Sequence, residues 1–136
     1  MSNIDNKIKK TLGFKGESFV IDKLKTLGYE LHKRNIKSID SEIDVIAYRY
    51  NKQKYRLDIR IIEVKTRQSY EFDLTNLGMA KKWGLIRRHM FNIKGEIDAK
   101  FDVLSYSEVH FDLALVRYKN DSLELYSYIK DINLML

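Results

Sequence analysis

Apolar residues recur along residues 5–27 with the period of a helix. At 3.6 residues per turn, Phe14, Val20, Ile21, Leu24 and Leu27 share one arc, and Gly28 stands where such a helix would stop. Glu17 falls in the middle of that arc. A carboxylate centred on a buried face costs free energy unless it is paired or binds a cation. The pattern then shortens to a period of two. Strands are predicted over 29–36, 42–50 and 55–66, with a polar turn at 51–54 between the last two. Ile59, Ile61, Ile62 and Val64 make the third strand apolar on both faces, as in a central strand. The connection between the second and third strands, from Tyr50 to Arg60, looks long. A polar loop over 67–73 leads to a second predicted helix, 74–94, striped by Met79, Trp83, Ile86, Met90 and Ile93. Strands over 100–106, 109–118 and 122–129 complete the chain. The last two meet at Asn120-Asp121, a good tight-turn pair. The order α-β-β-β-α-β-β-β predicts an α/β fold, a mixed β-sheet flanked by α-helices.

Two of these strands each deliver an acid. Ser41-Glu42-Ile43-Asp44 opens one, and Ile62-Glu63-Val64-Lys65 lies near the end of the other. Strand residues i and i+2 share a face, so Glu63 and Lys65 project together while Ile62 and Val64 point the other way. A hairpin turning near 52–53 sets Asp44 opposite residues 61 to 63. Converging acids beside a lysine suit a divalent cation, Mg²⁺ (or Mn²⁺), bound through oxygens. The natural chemistry of such a site is phosphodiester hydrolysis. Asp44 and Glu63 would hold the metal, with the Val64 carbonyl as a further ligand. Glu17 would act through a water or orient the attacking one. Lys65 would help deprotonate or hold that water and steady the charge on phosphorus. Glu42 could assist or simply offset its cationic neighbours. The plainer reading is two strand acids, solvated or paired with Lys65; Glu17 on an apolar helical face weighs against it.

Composition narrows the partners. The chain has 136 residues, enough for one domain spanning 1–136, with 44% hydrophobic and 32% charged residues. A formal charge of +6 favours an anionic partner such as nucleic acid. Lys7, Lys9, Lys10 and Lys15 form one basic run; Lys81, Lys82, Arg87 and Arg88 form another. Each is either a solvated helix face or a phosphate contact. Tyr70 and Phe72 would stack on bases or pack locally. No membrane span or signal-peptide core is evident, and cysteine is absent. A cytoplasmic protein is expected. His32, His89 and His110 lack zinc spacing. The 13–18 segment lacks the ending of a P-loop, and no Gly-x-Ser-x-Gly elbow exists. Asp102 and Asp112 could hold strand ends as readily as do chemistry.

Taken in order, Gly16-Glu17, Glu42-Ile43-Asp44, Glu63-Val64-Lys65 with Arg67, and Lys100-Phe101-Asp102-Val103 resemble the PD-(D/E)xK nuclease superfamily. Within it the chain is most similar to the YraN-type family and the archaeal Holliday-junction resolvases, over about residues 10 to 130. The resemblance implies a restriction-endonuclease-like core. It implies metal-dependent DNA cleavage by Glu17, Asp44, Glu63 and Lys65, and its resolvase branch implies a homodimer acting on branched DNA. Lys15, Arg67, Lys81, Lys82 and Arg88 are the candidate DNA contacts. Ile43 stands where the superfamily name has proline, Ser41 where the YraN-type family has glycine, and Lys100 where it has arginine. None of these departures removes a candidate ligand. Two other readings remain open. One is a non-catalytic nucleic-acid-binding or partner-binding module on a nuclease-like scaffold, which the apolar tail Leu134-Met135-Leu136 would suit. The other is a nuclease subunit that needs a larger partner.

Overall fold

The computed structural model describes residues 3–37, 42–68, 78–101 and 106–136, with the backbone alone for 3–6 and 9. Ser41, Tyr70, Phe72, Asp102 and the Lys9 side chain lie outside the described residues. Helix α1 (Asn3–Thr26) ends at Gly28, whose φ of 87° is the left-handed stop that glycine provides. Strands β1 (Glu30–Lys37), β2 (Glu42–Asn51) and β3 (Arg56–Arg67) form an antiparallel meander. Helices α2 (Met79–Arg87) and α3 (Met90–Asp98) cross over to β4 (Tyr106–Lys119), which runs parallel to β3. Strand β5 (Ser122–Ile129) pairs antiparallel at the far edge, and a 3-10 turn (Ile132–Met135) follows.

The five strands lie in sequence order, so β3 is central. Its two faces carry separate cores. Ile62 and Val64 meet Val20, Ile21 and Leu24 of α1. Leu57, Ile59 and Ile61 meet Met79, Ile86, Ile93 and Ile97 of α2 and α3. A mixed sheet with helices on both faces is the α/β arrangement expected, and it is consistent with a restriction-endonuclease-like core.

Four expectations are corrected. Phe14 and Leu27 are 55% and 61% exposed; they lie just beyond either end of the helix–sheet contact, which runs from Gly16 to Leu24. Arg34 covers the Phe14 ring instead, 4.0 Å from its centroid. Residues 74–77 of the helix expected over 74–94 lie outside the described residues, and from Met79 onward it is two helices broken at Arg88 and His89, where the backbone tightens: the Arg88 and His89 N–H groups donate to the Leu85 and Ile86 carbonyls. The apolar stripe continues across the break, so periodicity does not reveal it. The strands over 100–106 and 109–118 are also revised. Lys100 and Phe101 follow α3 in a turn, 102–105 lie outside the described residues, and β4 is one 14-residue strand. Ser107 and Glu108 look like a break, yet they pair with Leu57 and Asp58 of β3. Last, the Tyr50 to Arg60 stretch is no long loop, because β2 and β3 pair as far as Asn51 and Arg56.

A buried polar network spans β3, β4 and β5. Asp112 is fully buried; it accepts from Arg60 Nη1 (3.1 and 3.2 Å), from Tyr128 Oη (2.5 Å) and from the Asp131 N–H (2.9 Å). Tyr29 Oη donates to Asp58 Oδ2 at 2.5 Å, and Arg60 Nε lies 3.4 Å from Asp58 Oδ1. Of the two roles open to Asp112, holding strands together is the one these bonds serve.

Candidate active site

Glycine at position 16 lets α1 lie against the end of β3. A Cβ built there would sit 1.9 Å from Thr66 Oγ1 and 3.1 Å from Thr66 Cβ. The close approach seats the next residue, Glu17, at the helix–sheet junction with 7% of its surface exposed. Gly16→Ala is therefore expected to push α1 off β3, at a cost of about 1–3 kcal/mol in a urea melt. Adding Thr66→Ala should recover much of that loss.

Two residues of β1 receive Glu17. Asn35, at φ 51°, interrupts the strand with a left-handed residue, a conformation asparagine tolerates. With its nitrogen turned toward Glu17, its amide donates to Oε2 at 2.8 Å and Oε1 at 3.0 Å. Arg34 Nη2 lies 4.0 Å from Glu17 Oε1, held there by its own bonds to Ser18 Oγ and the Phe14 carbonyl. Burial raises the Glu17 pKa; Arg34 opposes this, while Glu42 and Glu63 add to it.

The β2–β3 register brings the other acids together. Val45 pairs with Ile62, which puts Asp44 in line with Glu63, within the window expected from the hairpin. The Val64 N–H donates to Asp44 Oδ2 at 2.9 Å. Burial, then the Glu63 charge, push Asp44 up to about 7; the Val64 N–H and Lys82 pull against them, and Glu17 adds to the rise. Glu63 is 4% exposed, and Lys65 Nζ lies 3.2 Å from its Oε1, as a shared strand face requires.

Lys82 is the residue the sequence reading misplaced. Its place among the basic residues of α2 predicts a surface cation, yet its Nζ lies 2.5 Å from Glu63 Oε2. The signal was present: Lys82 follows Met79 by three and precedes Ile86 by four, which puts it on the buried stripe of the helix. Lys15, Arg67, Lys81, Arg87 and Arg88 are exposed. Arg67 Nη1 donates to the Thr66 carbonyl at 2.9 Å. Arg34 and Asn35 were not singled out by sequence, because nothing local couples β1 to a helix residue so far away.

The donor set fits a hard cation. It consists of carboxylate oxygens, among them those of Asp44, whose pKa burial, Glu63 and Glu17 raise, with the Val64 main chain beside them. Glu63 Oε2 is buried without an aligned hydrogen-bond donor, despite the nearby Lys82 ammonium. Among the described residues, no three His, Cys, Asp or Glu groups form a ready cation cluster. Asp44 and Glu63 are therefore the pair that fits, with Glu17 held to one side by Asn35. Among the described residues, no helix is long and apolar enough to cross a membrane.

Known sequences place this arrangement in a family. A UPF0102 protein of Thermodesulfovibrio yellowstonii is 34% identical over 102 residues, covering 71% of this chain and 86% of that protein. UPF0102 proteins of Caldicellulosiruptor saccharolyticus and Caldanaerobacter subterraneus subsp. tengcongensis are each 39% identical, over 64 and 66 residues. Those matches cover 47% and 48% of this chain, and 49% of each relative's length. A family profile described as "Uncharacterised protein family UPF0102" matches residues 16–106, from the glycine beneath α1 to the start of β4. The chain belongs to this family, a YraN-like member of the PD-(D/E)xK nuclease-like superfamily.

Proposed function

We propose that the protein is a Mg²⁺-dependent endodeoxyribonuclease that hydrolyses DNA phosphodiester bonds at Asp44, Glu63 and Lys65. One observation carries the reading: Asp44 of β2 and Glu63 of β3 meet at a largely buried place with Glu17 of α1 to one side, and burial together with the Glu63 charge pushes Asp44 up to about 7. Buried like charges cost stability, and a site that binds a cation gives that cost a use. Held by Asp44, Glu63 and the Val64 carbonyl, Mg²⁺ would supply positive charge to the scissile phosphate and make nearby water more acidic. Lys65 keeps an ammonium beside Glu63, where charge grows on the phosphoryl oxygens in the transition state. Glu17, fixed by Asn35 and Arg34, accepts a hydrogen bond from the attacking water and orients it. Lys15, Arg67, Lys81 and Arg88 take the DNA backbone through phosphate contacts.

The test is cleavage of labelled single-stranded, duplex, flap and four-way-junction DNA with Mg²⁺ or Mn²⁺, beside an Asp44→Asn control. Metal-dependent cuts that vanish in the control support the reading. No cutting by pure wild-type protein on any substrate overturns it. Light scattering with and without the junction tests the homodimer that branched DNA would need.

A second reading, a binding module without catalysis, is favoured by Lys82. Its ammonium already sits on the carboxylate that a metal would use. The two readings separate on Lys82→Met. If Mg²⁺ uses Glu63, removing the internal cation should tighten Mg²⁺ binding several-fold by calorimetry. If neither wild type nor variant binds Mg²⁺ or Mn²⁺ while DNA binding persists, the module reading holds.

A further inference from the structure

Beside the acids lies a cavity of about 200 Å³ between α3 and the paired ends of β1 and β2. Ile36, Ile43, Ile46 and Ile93 are its apolar lining, with Lys33, Asn92 and Glu96 among its polar lining residues. For scale, an apolar cavity of about 150 Å³ takes up benzene. A space somewhat larger, apolar but carrying a few polar groups, suits a flat heteroaromatic ring with polar edges.

Its position decides what that ring belongs to. Ile46 shares a strand face with Asp44, two residues away, so this part of the cavity wall lies roughly 7 Å along β2 from the candidate metal ligand. Ile43 is the residue directly before Asp44, and Ile36, its partner across β1, directly follows Asn35, which holds Glu17. That spacing is close to one nucleotide step of a DNA backbone. Lys33 Nζ lies 3.4 Å from Glu96 Oε2, with more than half of its side chain exposed, so the edge of the cavity carries an ion pair. Asn92 is exposed and brings an amide with both donors and an acceptor, the groups that read a base edge.

We propose that this cavity is a nucleobase pocket. It takes one unpaired, unstacked base of DNA whose backbone lies across Asp44 and Glu63. The inference rests on the nuclease reading and deepens it, because it names the substrate: DNA with an unpaired nucleotide next to the cut. A fully paired duplex keeps its bases stacked and leaves the pocket empty, because filling it would require extruding a base, so it binds more weakly and through phosphate contacts alone.

The test is binding in EDTA, where no cutting occurs. Duplexes of equal length carry 2-aminopurine either paired or as a single-nucleotide bulge, and anisotropy and 2-aminopurine fluorescence are read together. The bulged duplex should bind about tenfold more tightly, with a fluorescence change absent from the paired one. Asn92→Ala should lower that preference several-fold and Ile36→Trp should erase it, both leaving paired-duplex affinity unchanged. Equal affinity for the two duplexes overturns the pocket, as does an unchanged preference in Asn92→Ala. If Ile36→Trp fails to fold, the wild type and Asn92→Ala decide the matter. Cleavage is scored separately. A protein that prefers the bulge yet never cuts with metal keeps the pocket and loses the nuclease; one that cuts with no preference does the reverse.

Discussion

Asp44→Asn is expected to reduce Mg²⁺-dependent cleavage by on the order of a thousandfold or more while the protein remains folded. Asparagine keeps the size of the side chain and an oxygen that can accept from the Val64 N–H, so the local geometry survives. What disappears is one of two carboxylates suited to a metal. Glu63→Gln should act in the same way. Lys65→Ala should differ, with the rate lost and Mg²⁺ affinity by calorimetry little changed. If Asp44→Asn cut at the wild-type rate, Asp44 would not be a ligand and the proposal would fail.

The raised pKa of Asp44 adds a pH signature with a definite sign. Burial and Glu63 push its carboxyl from 3.8 to about 7. A carboxyl raised in the folded state contributes stability that is fully present below 3.8 and is lost as pH rises through about 7. In EDTA the wild type should therefore lose stability relative to Asp44→Asn between about pH 4 and pH 7, by roughly a few kcal/mol. Metal binding must displace the same proton. Below about pH 7, Mg²⁺ affinity should fall close to tenfold per pH unit. Urea melts and calorimetric titrations across that range measure the two effects independently. A flat stability difference would mean that Asp44 is not charged and repelled as described.

Arg60→Met should give the largest loss of stability, about 3–5 kcal/mol in a urea melt, because it leaves a buried charge uncompensated. Burial works against the Arg60 charge, and Asp112 more than offsets that, so the guanidinium stays ionised. Without it, the donors that remain to Asp112 among the described residues are Tyr128 and the Asp131 N–H, at a site with no exposed surface. Asp58 loses a neighbour in the same step. Adding Asp112→Asn should recover part of the loss, since the uncompensated charge goes with it. Activity per folded molecule should stay near wild type in Arg60→Met, which separates this network from the acids around Asp44. A loss below about 1 kcal/mol would mean that water or rearrangement compensates Asp112.

Much of this was legible along the chain because it is local. The period of the apolar residues placed α1, the meander and the β5 hairpin, and Gly28 marked the end of α1. Residues two apart on a strand must share a face, so the Glu63–Lys65 pair followed from spacing alone. The β2–β3 register could be bounded from the turn, since a short hairpin leaves few alternatives. Glu17 stood out because an acid on an apolar face is improbable without a partner.

Other features required the tertiary structure. The break between α2 and α3 leaves the apolar stripe intact, so only packing onto the sheet shows it. The length of β4 comes from a parallel partner distant in sequence, which lets polar Ser107 and Glu108 continue the strand. Lys82 became part of the acid cluster when α2 turned its buried stripe toward β3. Asn35 reached Glu17 because β1 takes a left-handed step beside a helix that Gly16 allows to come close. Periodicity describes which way a side chain faces relative to its own backbone. Which group it meets there depends on how elements far apart in the chain pack, and that decided the charge balance of the site.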